Sequence, residues 1–163
     1  MARLTPAQTI GPFFHEGMRW AIRDGATAVP AGAVRIAGRV LDREGAGVSD
    51  ALLEVWQPAW QAGSENPVAG LQRVATDDSG RFAFLLPRPT QKQSHAHVTV
   101  FARGLLRGLF TRVYLGDPES LVLPGSVPAG RRGTLIARLD AANAGYEWDV
   151  HLSGPDETVF FEL

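Results

Sequence analysis

The chain contains no cysteine. Disulfides, zinc–thiolate centres, iron–sulfur clusters and cysteine nucleophiles are therefore excluded. It has no run of 18 apolar residues, so no segment reads as a transmembrane helix. It lacks a charge excess of either sign: 16 Lys and Arg against 17 Asp and Glu leave a net charge of −1. No basic footprint points to nucleic acid or to an anionic membrane. The opening residues, MARLTPAQTIGPFFHEG, lack the apolar core and cleavage site of a secretory leader, so a cytoplasmic address is expected. Tyrosine is scarce, at two residues. There is no G-x-S-x-G, no phosphate-binding loop and no glycine-rich dinucleotide fingerprint.

What remains suits one globular domain. The 163 residues are enough to bury a real core, and 45% of them are hydrophobic. The 18 glycines and 11 prolines break the chain at short intervals. Between them lie β-branched and aromatic runs at 34–42, 51–58, 80–86, 95–102, 109–115, 134–139, 146–152 and 158–163. Several alternate with period two. Val34, Ile36 and Val40 oppose Arg35 and Arg39; Tyr146, Trp148, Val150 and Leu152 oppose Glu147, Asp149 and His151. Eight such runs predict an all-β sandwich or barrel. DREGAG at 42–47 and DDSG at 77–80 read as hairpin turns, and Asp77 and Asp78 as residues that shape one. Helical pattern is limited to one possible turn over 16–23. Residues 1–33 form an arm that must dock on something, ahead of a single domain over 34–163. Residues 57–70 read as a loop.

The candidate chemistry sits in SHAHVTVFARG, residues 94–104. On a strand, His95 and His97 point to the same side. The spacing suits two metal ligands, yet alone it describes two packed, hydrogen-bonded histidines better than a metal site. Arg112 falls among apolar neighbours on a strand and needs a buried partner or an interface.

Several stretches together resemble one family. TPAQTIGPFF (5–14), LLEVWQP (52–58), RVATDDSGRFAF (73–84), HAHVTVFARGLL (95–106), FTRVYLGDP (110–118), RGTLIARL (132–139) and ETVFFEL (157–163) are similar, in order, to the alpha-type chains of the protocatechuate 3,4-dioxygenases. These are intradiol ring-cleaving enzymes. The resemblance implies a β-sandwich of the intradiol dioxygenase type with an extended N-terminal arm. It implies an alpha/beta heteromer, joined into a larger oligomer, that cleaves 3,4-dihydroxybenzoate with O2 to 3-carboxy-cis,cis-muconate. It also implies non-haem Fe(III), held in the catalytic beta chain by two tyrosines and an H-x-H pair. His95 and His97 stand at that pair, but residues 57–94 contain no tyrosine. Without the phenolates ferric iron is not stabilised, so the iron is expected on the beta subunit and none on this chain. His95 and His97 then read as vestigial. The resemblance carries Thr9, Gly11, Pro12 and Phe13 over as lining of a substrate pocket at the subunit interface, with Arg103 of FARG reaching toward it. Two readings of Arg103 stay open, a substrate contact and a salt bridge at the subunit seam; Thr9 alternatively serves a turn. Two other readings of the chain carry different chemistry. One is a non-catalytic, transthyretin-like binding or assembly module. The other is a lone enzyme that holds metal through His95 and His97 with ligands other than tyrosine.

Overall fold

The computed structural model describes residues 29, 31–57, 70–90, 94–142 and 144–162. Among the described residues, nine strands build two sheets. They are β1 (Ala33–Leu41), β2 (Leu52–Trp56), β3 (Leu71–Ala75), β4 (Arg81–Pro87), β5 (His95–Phe101), β6 (Leu109–Tyr114), β7 (Arg138–Asp140), β8 (Gly145–Glu147) and β9 (Val150–His151). A 3-10 helix, Ala129–Leu135, precedes β7. One sheet runs β4-β1-β8-β7, with β9 also paired to β1; the other runs β3-β2-β5-β6.

The alternation read from the sequence decides which side of each strand meets the core. Val34, Ile36 and Val40 of β1 and Phe82, Phe84 and Leu86 of β4 belong to one buried cluster. Leu53 and Val55 of β2, Ala96, Val98 and Val100 of β5 and Val113 of β6 belong to the same cluster. Residues of both sheets thus share one core, as in a sandwich. Each Leu, Val or Phe fully buried there contributes about 1.5–3 kcal/mol, before the entropy of ordering is subtracted.

The 146–152 run is divided. β8 pairs with Ile36 and Ala37 of β1, and β9 with Val40 and Leu41, both parallel. Between them Trp148 N–H donates to the Ala37 carbonyl at 2.9 Å, and the Asp149 carboxylate accepts from Arg39 N–H at 2.8 Å. A side chain thus replaces a ladder carbonyl, and the strand bulges across Gly38. The expected inward side still holds, for Trp148 and Val150 are buried. The bulge depends on Gly38, where a Cβ would lie 1.8 Å from the Trp148 carbonyl oxygen.

Turn chemistry also follows the sequence. Asp77 Oδ1 accepts from the backbone N–H of Ser79 and of Arg81, both at 2.9 Å, and from the Ser79 hydroxyl at 2.7 Å. These bonds hold its carboxyl below the ordinary range, the Arg81 amide most of all. Gly80 closes the turn at φ 78°. DDSG does not join two strands of one sheet, however. It carries the chain from β3 in one sheet to β4 in the other.

Three further elements differ from expectation. β3 lies where no strand is predicted, just beyond the expected loop. The run 134–139 divides between the 3-10 helix, a bridge from Ile136 to Tyr114 and β7. Thr134 explains this: its carbonyl accepts from Trp148 Nε1 at 3.0 Å, and its hydroxyl donates to the Arg131 carbonyl at 2.8 Å. The run 158–163 contributes a single bridge, Phe161 to Phe110. The expected turn over 16–23, most of the arm and most of the 57–70 loop lie outside the described residues.

Gly38→Ala should destabilise the chain by about 1–3 kcal/mol, because the Trp148 carbonyl must move. Gly130→Ala, where an added Cβ meets nothing within 4 Å, should change stability far less. Urea midpoints of the two variants check this. Equal midpoints would show that the bulge relaxes freely.

Candidate functional site

β5 is an inner strand, paired antiparallel to β2 on one side and β6 on the other. Because Ala96, Val98 and Val100 face the core, His95 and His97 face outward. Register then dictates their neighbours. Trp56 lies opposite His97 on β2; Arg112 lies opposite His97 and Tyr114 opposite His95 on β6.

The rings form a row across three strands. Trp56 and His97 have centroids 5.5 Å apart, and His97 stacks on Phe110 at 5.5 Å and 23°. Phe110 meets Phe161 edge-on at 6.3 Å. His95 sits 5.3 Å from His97 and 5.2 Å from Tyr114. Tyr114 itself is buried in a second apolar cluster with Val127 and Leu135, over the β6 edge. Trp56 stays 42% exposed, so the row has an open end.

One cation stands in this row. The Arg112 guanidinium lies 5.3 Å from the Phe161 ring centroid, a cation–π contact worth about 0.5–2 kcal/mol. Its Nε is buried with no hydrogen-bond partner. Leaving such a donor unmatched costs about 1–3 kcal/mol. Glu54 is the one carboxylate that the four strands place on this face, and it pairs with Arg73 at 2.6 Å. Burial pushes both imidazoles below their ordinary 6.5, and the Arg112 charge pushes them further. His97 is lowered again by His95.

Among the described residues no group of three or more His, Asp or Glu side chains could hold a metal ion. A guanidinium opposite His97 adds repulsion toward any cation placed between the imidazoles.

Arg103 lies elsewhere. It lies in the turn after the far end of β5, a strand that spans about 20 Å from His95 to Phe101. Its Nε donates to Asp50 Oδ2 in an ion pair, with Arg103 64% exposed and Asp50 12% exposed. Such a pair is worth at most about 1 kcal/mol. It fixes one edge of the guanidinium and leaves most of it in solvent. Thr9, Gly11, Pro12 and Phe13 lie outside the described residues. The structure therefore brings His95 and His97 together with Arg112 and separates them from Arg103. Sequence reasoning missed Trp56, Phe110 and Phe161 as neighbours of the histidines. Strand register was the signal for the first two; Phe161 had none.

The lowered histidine pKa values set a pH dependence. The unfolded chain binds protons at these sites more readily than the folded one. Stability is therefore full above about pH 6.5 and falls as the pH drops through the folded-state values. His95→Gln/His97→Gln should flatten the slope of Tm against pH between about 7 and 5. An unchanged slope would show that these imidazoles do not resist protonation.

Comparison with known proteins gives the lineage. No protein-family model matches the chain. It is 35% identical to the protocatechuate 3,4-dioxygenase alpha chain of Burkholderia cepacia, covering 98% of this chain and 97% of that one. It is 30% identical to the alpha chain from Pseudomonas putida, covering 98% and 96%, and 30% identical to the beta chain of Burkholderia cepacia, covering 93% and 77%. Among solved structures, the fold matches the dioxygenase domain of a carbohydrate-binding fusion from Streptomyces sp. SirexAA-E, with TM-score 0.57, 21% identity, and 82% and 88% of the two chains. Hydroxyquinol 1,2-dioxygenase from Pseudomonas putida DLL-E4 matches with TM-score 0.54, 22% identity, and 90% and 65%. Among the described residues no helix is long and apolar enough to cross a membrane. With the paired sheets, the H-x-H strand and end-to-end similarity to two alpha chains, this chain belongs to the protocatechuate 3,4-dioxygenase alpha-chain family of intradiol dioxygenases.

Proposed function

We propose that this chain is the alpha subunit of a heteromeric protocatechuate 3,4-dioxygenase that works in the cytoplasm. The assembled enzyme opens the ring of 3,4-dihydroxybenzoate between its two hydroxylated carbons. That C–C bond breaks and each new carboxyl group takes one atom of O2, giving 3-carboxy-cis,cis-muconate. The observation that carries this reading is end-to-end similarity to alpha chains of that enzyme.

The division of labour follows from the ligands. The family implies non-haem iron, and we assign it to the beta subunit as Fe(III). What supports this is the outward face here, where two histidines share their surroundings with a guanidinium and, among the described residues, belong to no group of three or more His, Asp or Glu that could hold a metal ion. Similarity to a beta chain as well supports descent of both subunits from one fold. The alpha chain's contribution is then shape and charge at the subunit interface. Residues 1–33 act as an arm ahead of the sandwich at 34–163. Thr9, Gly11, Pro12 and Phe13 line the pocket: Gly11 permits close backbone approach, Pro12 fixes the turn and Phe13 supplies an apolar wall. Arg103, held by Asp50 along one edge, presents its free edge toward the substrate carboxylate.

Co-expression with a candidate beta chain tests this. The alpha chain alone should be colourless and iron-free, whereas the complex should hold iron and consume O2 with protocatechuate. In the complex Arg103→Ala should raise KM about tenfold or more with iron content unchanged. Stoichiometric iron and visible colour in the alpha chain alone would sink the assignment. A KM within twofold of wild type would leave Arg103 as the Asp50 partner only.

A further inference from the structure

Among the described residues Arg112 is a cation without a matching anion, on a platform of rings. Its Nε is buried and makes no hydrogen bond. The carboxylate that the strands place on its face, Glu54, is already held by Arg73. Its register neighbour His97, and His95 beside it, are imidazoles, which carry no negative charge to balance it. The surroundings are flat and apolar: Phe161 under the guanidinium, Phe110 stacked on His97, and Trp56 beyond, with one side open to solvent.

We propose that the outward face around Trp56, His97, Phe110 and Arg112 is a binding site for a small aromatic carboxylate, distinct from the pocket assigned to the subunit interface. The carboxylate takes the terminal nitrogens of Arg112, whose Nε stays buried, and the ring lies against the Trp56–His97–Phe110 row. A guanidinium presents donors in a planar fork that matches a carboxylate, and it remains charged at any physiological pH. An imidazole supplies a further donor from either ring nitrogen. Aromatic side chains take a planar ring in offset or edge contact. A metal ion is the opposite case, since Arg112 repels it and the described residues supply no group of three or more His, Asp or Glu to hold it. The inference rests on this cluster alone and is independent of the reaction assigned above.

Benzoate is the probe, with benzamide as its uncharged isostere. Saturation-transfer NMR and titration calorimetry on the full-length chain, without a partner, measure both ligands. Benzoate should bind about tenfold or more tightly than benzamide, and Arg112→Met should remove that preference. Trp56→Ala, at an exposed position where folding is not at risk, should weaken benzoate several-fold and keep the preference for charge. Arg112→Lys should retain part of it and covers the case in which Arg112→Met fails to fold. Equal binding of benzoate and benzamide would overturn the proposal, as would benzoate binding that survives both Arg112→Met and Trp56→Ala. Absence of benzoate binding to the wild-type chain would also overturn it and would return Arg112 to a protein carboxylate. Binding of Ni2+ that depends on His95 and His97, with benzoate ignored, would reverse it in favour of a metal.

Discussion

The alternation of side chains along β5 is the constraint on which the rest depends. As an inner strand it is hydrogen-bonded on both edges, so neither edge can shift without the other. Its inward side, Ala96, Val98 and Val100, is fully buried against the opposite sheet. A slip of one residue would send three apolar side chains to the surface and two imidazoles into the core. The position of His95 and His97 on the outer face is thus enforced by packing, whatever those residues once did. The same register places Arg112 and Trp56 beside them.

From that face comes the functional contrast. A strand that presents H-x-H has the geometry of half a metal centre, and the chain is similar to both alpha and beta chains of one enzyme. What surrounds the pair here is a cation, aromatic rings that include the Tyr114 phenol, and one carboxylate already held by Arg73, rather than a set of free anionic oxygens. Hard ferric iron requires the latter. Replacing negative ligands with a guanidinium converts a place that would attract a cation into one that attracts an anion. The fold is kept, because the sandwich needs β5, while the chemistry of its outer face is free to change.

Much of this was legible in the residues themselves. Period-two alternation in 34–40 and 146–152 marked which sides face inward, and Asp77 with Gly80 marked a turn. β3 was not legible. In LQRVA, Val74 is the buried residue, and Gln72 faces inward only because its side chain bonds the Leu85 backbone, donating to the carbonyl at 2.6 Å. No hydrophobic period survives in such a segment. The run 134–139 looked like a strand by composition, yet Trp148 and Arg131 claim Thr134 and leave the helix in its place. The histidine pair was visible, and so was the need of Arg112 for a partner. That Phe161 lies under Arg112 required a contact across 48 intervening positions, which only tertiary structure supplies.

The central claim is that His95 and His97 are not ligands of the enzyme's iron. Its most direct test is the iron content and O2 uptake of the complex formed by beta chain and His95→Gln/His97→Gln alpha chain. Iron per alpha/beta pair and turnover with protocatechuate should equal those of the wild-type complex. Loss of iron from an assembled, correctly sized complex would contradict it.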